Sequence, residues 1–208
     1  MHDDSDDILY RVSNLKQGDS SEDIYDDWAD DYDRHLLSDF GYISPRIAAE
    51  ELAERERPND AAVIDYGCGT GLVGEALQRR GFNLIDGIDL STGMLAQAKT
   101  KQVYRELCCA DLTRPIPLQD DSYDAALCIG SMGAGHVGAA HVAEMLRPIR
   151  RGGSFIIILN GSYYQSGGFE ASFKAIEQDG AWSIHKLEQF NYMNALDRPG
   201  WLLVASKT

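Results

Sequence analysis

Residues 61–74 of the chain read AAVIDYGCGTGLVG, and this stretch decides the fold. Ala61 to Tyr66 is a short apolar run typical of a buried strand, and Leu72 to Arg80 has the pattern of a helix. Between them lie three glycines at alternate positions, Gly67, Gly69 and Gly71. Glycine allows a sharp turn and a close approach of the backbone to a ligand. The stretch therefore predicts a strand, a ligand-binding loop and a helix, in that order.

The alternation of strands and helices continues through the rest of the chain. Further strands are predicted at 83–89, 103–109, 123–129 and 154–159, the last after a turn at Gly152-Gly153. Helices are predicted at 92–101, 139–147 and 168–178. The last two strands, 182–192 and 201–206, form a hairpin around Asp197-Arg198-Pro199-Gly200. This pattern predicts an α/β fold with a doubly wound, mostly parallel sheet of seven strands.

The N-terminal region differs from the rest of the chain in its charge. Residues 1–39 hold thirteen of the 33 acidic residues but only three of the 19 lysines and arginines. We expect residues 1–21 to be an acidic, disordered tail and residues 22–208 to form one domain. Residues 22–57 would make a helical cap over the carboxyl edge of the sheet. Within this cap, Ser44-Pro45 predicts the start of a helix with Ser44 as its N-cap.

The composition argues against several classes of function. The net charge of −14 and the lack of a basic stripe argue against a nucleic acid as the main partner. No apolar run approaches the ~18 residues of a membrane span, and the start, MHDDSDDILY, lacks the features of a secretion signal. We therefore expect a cytoplasmic protein without a membrane partner. The four cysteines form no CxxC pair and no Cys/His cluster with zinc spacing, which predicts reduced thiols and no metal.

Two carboxylates follow other strands of the predicted sheet. Asp89 ends the second strand, where it could hold two ribose hydroxyls, and Asp111-Leu112 follows the third, where it could frame an adenine. Residues 69–74, GTGLVG, also match the dinucleotide fingerprint GxGxxG, with Asp89 about 20 residues further on. However, Asp65 would oppose a pyrophosphate at this loop and favour a cationic amine and sulfonium. The residues therefore favour S-adenosylmethionine, and a NAD(P)-dependent reductase is the rival interpretation.

The runs VIDYGCGTG, GIDLS, ADL and SYDAALCIG and the RRGG turn resemble the class I S-adenosylmethionine-dependent methyltransferases. The resemblance covers about residues 22–208. The run YDDWADDYD at 25–33 resembles the N-terminal helix of the small-molecule branch, and especially the group of methyltransferase-like protein 27. The resemblance implies a Rossmann-like sheet whose last strand is antiparallel. It also implies methyl transfer with S-adenosylhomocysteine as the product.

The resemblance also implies a role for each residue of the predicted pocket. It places the methionine end of the cofactor at Asp65, Gly67, Cys68, Gly69 and Gly71. Asp89 would hold the ribose, with Leu90 and Met94 beside the adenosine, and Asp111 and Leu112 would contact the adenine. Ile129 and Gly130 would flank the sulfonium. Tyr25 and Tyr32 would reach over the cofactor from the N-terminal cap.

The methyl acceptor leaves a weaker signal in the sequence. The loop at 130–136, GSMGAGH, lacks the Asn/Asp-Pro-Pro-Tyr/Phe signature of DNA and protein amide methyltransferases, and its His136 is a candidate general base. The segment 160–168, with Tyr163 and Tyr164, could line a small pocket. We therefore expect a small organic acceptor, methylated on O, N or S by direct displacement. Another S-adenosylmethionine-using transferase and a non-catalytic cofactor-binding or adaptor protein are the alternatives.

Overall fold

The fold is a seven-stranded sheet covered by helices on both faces. The computed structural model describes residues 31–56, 58–133 and 137–208. The strands are β1 (Ala62–Tyr66), β2 (Leu84–Asp89), β3 (Glu106–Cys109), β4 (Tyr123–Ile129), β5 (Ile149–Asn160), β6 (Trp182–Met193) and β7 (Arg198–Lys207). They lie in the order β3-β2-β1-β4-β5-β7-β6, and β7 is antiparallel to both of its neighbours. The predicted α/β fold with an antiparallel last strand is confirmed.

Short helices alternate with these strands. They are α1 (Tyr32–Arg34), α2 (Ser44–Ala53), α3 (Leu72–Gln78), α4 (Thr92–Thr100), α5 (Val142–Leu146), α6 (Gly161–Ser166) and α7 (Phe169–Gln178). A π-helical turn (His35–Asp39) follows α1, and a 3-10 turn (Ala139–His141) precedes α5. Within the described ranges, no helix has the length and apolar character needed to cross a membrane.

The central strands are buried on both faces. Along β4, Ala126 and Cys128 belong to the apolar layer that contains α5 and α7, while Leu127 and Ile129 belong to the layer that contains α2 and α3. Parallel strands are joined by helical crossovers that cover both faces of a sheet. This burial explains why the strands read as continuous apolar runs, and it leaves the loops at the carboxyl ends of the strands to form a site.

The predicted turn at Gly152-Gly153 is wrong, because both residues lie within β5. The ladder with β4 passes from the pair Tyr123–Ile149 to the pair Ala125–Ser154, so residues 150–153 bulge out of it. A Cβ atom on Gly153 would lie 2.5 Å from the Asp124 carbonyl oxygen. The glycine is needed for this close approach of two strands.

Other local predictions also need correction. The N-cap of α2 is Ile43, and Ser44 is its first helical residue. Ser44 is buried, and its hydroxyl has no hydrogen-bond partner among the described residues. The hairpin turn lies earlier than predicted, because β6 extends to Met193 and β7 begins at Arg198. The segment at 160–168 contains helix α6, whose Tyr164 is buried and stacks on Trp201 with 4.2 Å between ring centroids.

The described part of the cap is attached to the end of β6. Tyr42 forms a β-bridge with Met193, and the Ile43 N–H donates to the Tyr192 carbonyl with an N···O distance of 3.1 Å. Apolar side chains bury together at this junction: Leu36, Phe40, Leu72 and Met193. Because Leu72 begins α3, the attachment places the cap beside the glycine loop.

We expect Leu52→Ala to lower the free energy of unfolding by about 3 kcal/mol, because truncating a fully buried side chain of α2 leaves a cavity. Leu37→Ala is the matched control, since Leu37 is 49% exposed and its truncation should cost less than about 0.5 kcal/mol. Urea unfolding of the two variants measures the difference. Equal losses would contradict the packing of α2 against the sheet.

Candidate cofactor-binding site

The loop between β1 and α3 is fixed from two sides. The N–H groups of Gly67 and Cys68 donate to the Ile88 carbonyl of β2, with N···O distances of 2.7 and 2.9 Å. From the other side, the Ser131 hydroxyl donates to the Gly67 carbonyl at 2.9 Å. Gly67 has a φ of +67°, and a Cβ atom there would lie 2.1 Å from the Ser131 Oγ. Both its conformation and its contact with Ser131 therefore require glycine at this position.

Asp89, at the end of β2, connects the glycine loop to α4. Its Oδ2 accepts a hydrogen bond from the Gly69 N–H at 2.8 Å, and its Oδ1 accepts one from the Ser91 N–H at 2.9 Å. Ser91 is the N-cap of α4, since its Oγ accepts from the Met94 N–H at 2.9 Å. These bonds orient the Asp89 carboxylate at the wall of a cavity, where it is suited to bind ribose hydroxyls.

Asp111 begins the turn that follows β3. Its Oδ1 accepts hydrogen bonds from the Thr113 hydroxyl at 2.6 Å and from the Thr113 N–H at 2.8 Å. These bonds to Thr113 hold the pKa of Asp111 below its ordinary value. Asp111 is therefore an ionised acceptor, and the neighbouring Leu112 is a buried apolar side chain. The pair has the chemistry expected for contacts with an adenine.

Asp65, at the end of β1, is fully buried beneath the glycine loop. Its Oδ2 accepts from the Tyr104 hydroxyl at 2.7 Å, while its Oδ1 is buried and has no partner among the described atoms. Burial raises the pKa of Asp65 to about 7; the bond from Tyr104 opposes this shift and the nearby Asp89 adds to it. A positive charge above the loop would favour the ionised form of Asp65.

A cavity with about 980 Å³ of empty space, part of it open to solvent, runs across the carboxyl ends of β3, β2, β1 and β4. Most of the predicted cofactor-binding residues line it: Tyr32, Gly67, Cys68, Gly69, Asp89, Leu90, Met94, Asp111, Leu112, Ile129 and Gly130. Asp65 and Gly71 are not part of the lining. Tyr25 and His136 lie outside the described residues. The structure thus brings the predicted set together, and the individual roles stay predictions.

Sequence reasoning missed other residues that line the cavity: Tyr42, Pro45, Thr70, Leu72, Val73, Ser91, Ala110, Thr113, Ser131 and Val137. Thr70 and Ser91 could have been found, because they lie beside predicted residues in the same loops. Tyr42 gave no such signal, since a bridge to a distant strand brings it to the cavity. Tyr163 and Tyr164, expected near the acceptor, are not among the lining residues.

Comparison with known proteins agrees with this geometry. A family model described as a methyltransferase domain matches residues 64–157. Human methyltransferase-like protein 27 is 34% identical over 165 residues, which are 76% of this chain and 66% of that protein. The 18S rRNA (guanine(1575)-N(7))-methyltransferase of Saccharomyces cerevisiae is 36% identical over 70 residues, which are 34% of this chain and 26% of that protein. The chain therefore spans about two thirds of the first relative and about a quarter of the second.

Solved structures show the same fold. An S-adenosylmethionine dependent methyltransferase from Mesorhizobium loti matches with a TM-score of 0.58 at 20% identity, covering 77% of this chain and 98% of that one. The sheet order and the glycine loop define a class I, Rossmann-like methyltransferase domain. The chain belongs to the S-adenosylmethionine-dependent methyltransferases, the family that its motifs resemble, and S-adenosylmethionine is the cofactor of this family.

The cavity residues fit this cofactor, which carries two positive groups and one carboxylate. Among the described lining residues there are two acids, Asp89 and Asp111, and no lysine or arginine. The unpartnered oxygen of Asp65 adds a third acid under the loop. Leu90 is 40% exposed, although it is a large apolar side chain at the cavity. An acidic lining suits a cation, and the open face of Leu90 suits an apolar ring.

We expect Asp89→Ala to weaken S-adenosylmethionine binding by about 2 kcal/mol, or about 30-fold in Kd, because charge-assisted hydrogen bonds are lost. Asp86→Asn is the control on the same strand, since Asp86 bonds to Arg105 and Tyr123 and is not in the cavity lining. Calorimetric titration measures both affinities. An unchanged Kd in Asp89→Ala would contradict this assignment of the site.

The raised pKa of Asp65 predicts that cofactor affinity depends on pH. Its pKa of about 7 means that ionisation increases as the pH rises through neutrality, and the ionised form attracts a cationic cofactor. The affinity of the wild-type protein, divided by that of Asp65→Asn, should therefore rise between about pH 6 and pH 8. The cofactor's own titration affects both proteins alike, so it cancels in this ratio of affinities.

Protein stability provides an independent check on Asp65. A raised folded-state pKa in an acid favours the folded state at low pH, and this contribution is lost as the pH rises through about 7. Denaturant unfolding should therefore show that Asp65→Asn gains stability relative to the wild type between pH 5 and pH 8, values chosen on either side of that pKa. A constant difference would mean that Asp65 does not titrate in this range.

Proposed function

We propose that this protein transfers the methyl group of S-adenosylmethionine to an O, N or S atom of a small organic acceptor by in-line displacement. The observation that supports this proposal is the position of the cap. Tyr32, Tyr42 and Pro45 of the cap line the same cavity as the glycine loop. The space available to an acceptor is therefore bounded by the chain's own N-terminal segment, which favours a small molecule over a macromolecular surface.

The cap is held against the glycine loop by a charged cluster around Asp33. The Asp33 carboxylate accepts hydrogen bonds from the Thr70 hydroxyl and from the Lys101 Nζ, the latter at 2.6 Å. Lys101 also bonds to Glu75 of α3 at 2.8 Å, and its side chain is only 14% exposed. Partial burial strengthens such pairs relative to those in open solvent. The cluster therefore supports a cap that packs against the glycine loop.

Charge supports an acceptor other than nucleic acid. The chain has 33 acids against 19 lysines and arginines, and the described cavity lining contains no basic side chain. A polynucleotide acceptor needs cationic groups along its phosphates. The yeast relative is named for action on 18S rRNA, but it is matched over only 70 residues. We therefore extend the family's cofactor to this protein and do not extend that relative's acceptor.

When bound, S-adenosylmethionine would supply a methyl group on a sulfonium: a nucleophile can attack the methyl carbon as the carbon–sulfur bond breaks, with S-adenosylhomocysteine as the leaving group. The chain's contribution is to bind and orient the reactants. Asp89 would hold the ribose, and Asp111 and Leu112 would contact the adenine. The ionised Asp65, which lies beneath the glycine loop, would stabilise the ammonium group of the cofactor across that loop. His136 is proposed as the group that removes a proton from the acceptor where one is needed.

The cytoplasm is the proposed location. All four cysteines, Cys68, Cys108, Cys109 and Cys128, are free thiols, and two of them are buried. Free thiols are typical of proteins in a reducing compartment, whereas disulfides accumulate in oxidising ones.

The acceptor class can be tested with radiolabelled S-adenosylmethionine and three fractions of one cell extract. The fractions are the small-molecule filtrate, the purified RNA and the protein. We expect transferred label in the filtrate fraction, in products that chromatography separates from the unreacted donor, because the cap restricts access to the cavity. Asp89→Ala at the same concentration is the control, and it should transfer little label at limiting cofactor.

Label confined to RNA or to protein would contradict the proposed acceptor class while leaving methyl transfer intact. Binding of NADH in place of S-adenosylmethionine, measured in parallel, would contradict the proposed reaction itself.

A further inference from the structure

The order of the strands, together with the proposed roles of Asp111 and Asp89, gives the direction in which a bound donor would lie. Strands β3, β2, β1 and β4 are neighbours in that order. At their carboxyl ends the cavity is lined, in the same order, by Asp111, Asp89, the glycine loop and Gly130. Adjacent strands are about 4.8 Å apart, so the two ends of this row are separated by about 14 Å. With the adenine at Asp111 and the ribose at Asp89, the methyl-bearing end of the donor reaches Gly130.

Tyr42 of the cap lies at this end of the cavity. Its Oη is 2.9 Å from the position that a Cβ atom on Gly130 would take. Gly130 has a φ of +76°, a conformation that favours glycine, so no side chain separates the hydroxyl from the end of β4. The Tyr42 phenol therefore covers the place where the methyl group would be presented.

The position of Tyr42 is determined by β5 and β6. Its backbone is bridged to Met193, and its ring lies edge-on to that of Tyr192, with 6.1 Å between centroids and an interplanar angle of 85°. The Tyr192 hydroxyl in turn accepts a hydrogen bond from the Asn160 Nδ2 at 3.1 Å. Two strands thus hold the Tyr42 ring, and a group held in this way can orient a reactant precisely.

We infer that the Tyr42 hydroxyl contacts the acceptor at the methyl group and positions the acceptor's nucleophilic atom for displacement. A phenol oxygen both donates and accepts hydrogen bonds, so it can orient an oxygen, nitrogen or sulfur nucleophile. The inference rests on the proposed function for the direction of the donor. It adds a residue that none of the cofactor motifs contains.

Sinefungin tests this inference without knowledge of the acceptor. In this analogue of S-adenosylmethionine, a carbon bearing an amine replaces the sulfonium bearing the methyl group, so its amine marks the methyl position. Tyr42→Phe keeps the ring and removes the hydroxyl. We expect calorimetry to show sinefungin binding weakened about 10-fold in this variant, with S-adenosylhomocysteine binding within about 2-fold of wild type.

Tyr123→Phe is the matched control, because it removes a phenol hydroxyl at the start of β4 that bonds to Asp86 and is not in the cavity lining. Both ligands should bind this variant within about 2-fold of wild type. Equal weakening of both ligands by Tyr42→Phe would overturn the inference, because Tyr42 would then be a general wall of the cofactor site. Unchanged sinefungin binding would overturn it as well. Failure of the wild-type protein to bind either ligand would instead overturn the proposed function.

Discussion

The hydrogen bond from the Gly69 N–H to the Asp89 carboxylate connects the two loops on which the cofactor site depends. The backbone bonds from Gly67 and Cys68 to Ile88 also join the glycine loop to β2. The same carboxylate also accepts from the Ser91 N–H, so it fixes the entry into α4. The acidic side chain suited to bind a ribose is therefore also a structural element of its own pocket.

The distribution of charge around this pocket is consistent with a cationic ligand. Three acids, Asp65, Asp89 and Asp111, approach it from three adjacent strands, and their environments differ. Hydrogen bonds from Thr113 keep Asp111 ionised, whereas burial raises the pKa of Asp65. A bound ammonium group would reduce the cost of ionising Asp65, and both S-adenosylmethionine and S-adenosylhomocysteine carry one. The two ligands differ in the positive sulfonium, which the acidic lining as a whole would attract.

The sequence was informative where a structure depends on neighbouring residues and uninformative where it depends on distant ones. Strand β4 was predicted at its observed bounds, because its apolar run is buried on both faces. Asp89 and the glycine loop were found because strand-end loops lie at one edge of a parallel sheet. Gly152-Gly153 was misread as a turn, since the sequence does not reveal a bulge created by pairing with β4. Tyr42 was missed for the same reason, because its place depends on a bridge to Met193.

The glycine spacing GTGLVG shows why a motif alone does not determine the ligand. Gly74, the third glycine of this fingerprint, packs against Tyr104, whose Cζ would be 2.5 Å from a Cβ atom on Gly74. The Gly74 N–H donates to the Tyr104 hydroxyl at 3.2 Å, and that hydroxyl donates to Asp65 at 2.7 Å. The third glycine therefore supports a buried acid under the loop. A pyrophosphate above that acid would be repelled once Asp65 is ionised, whereas an ammonium group would be attracted, so the same spacing selects a different ligand.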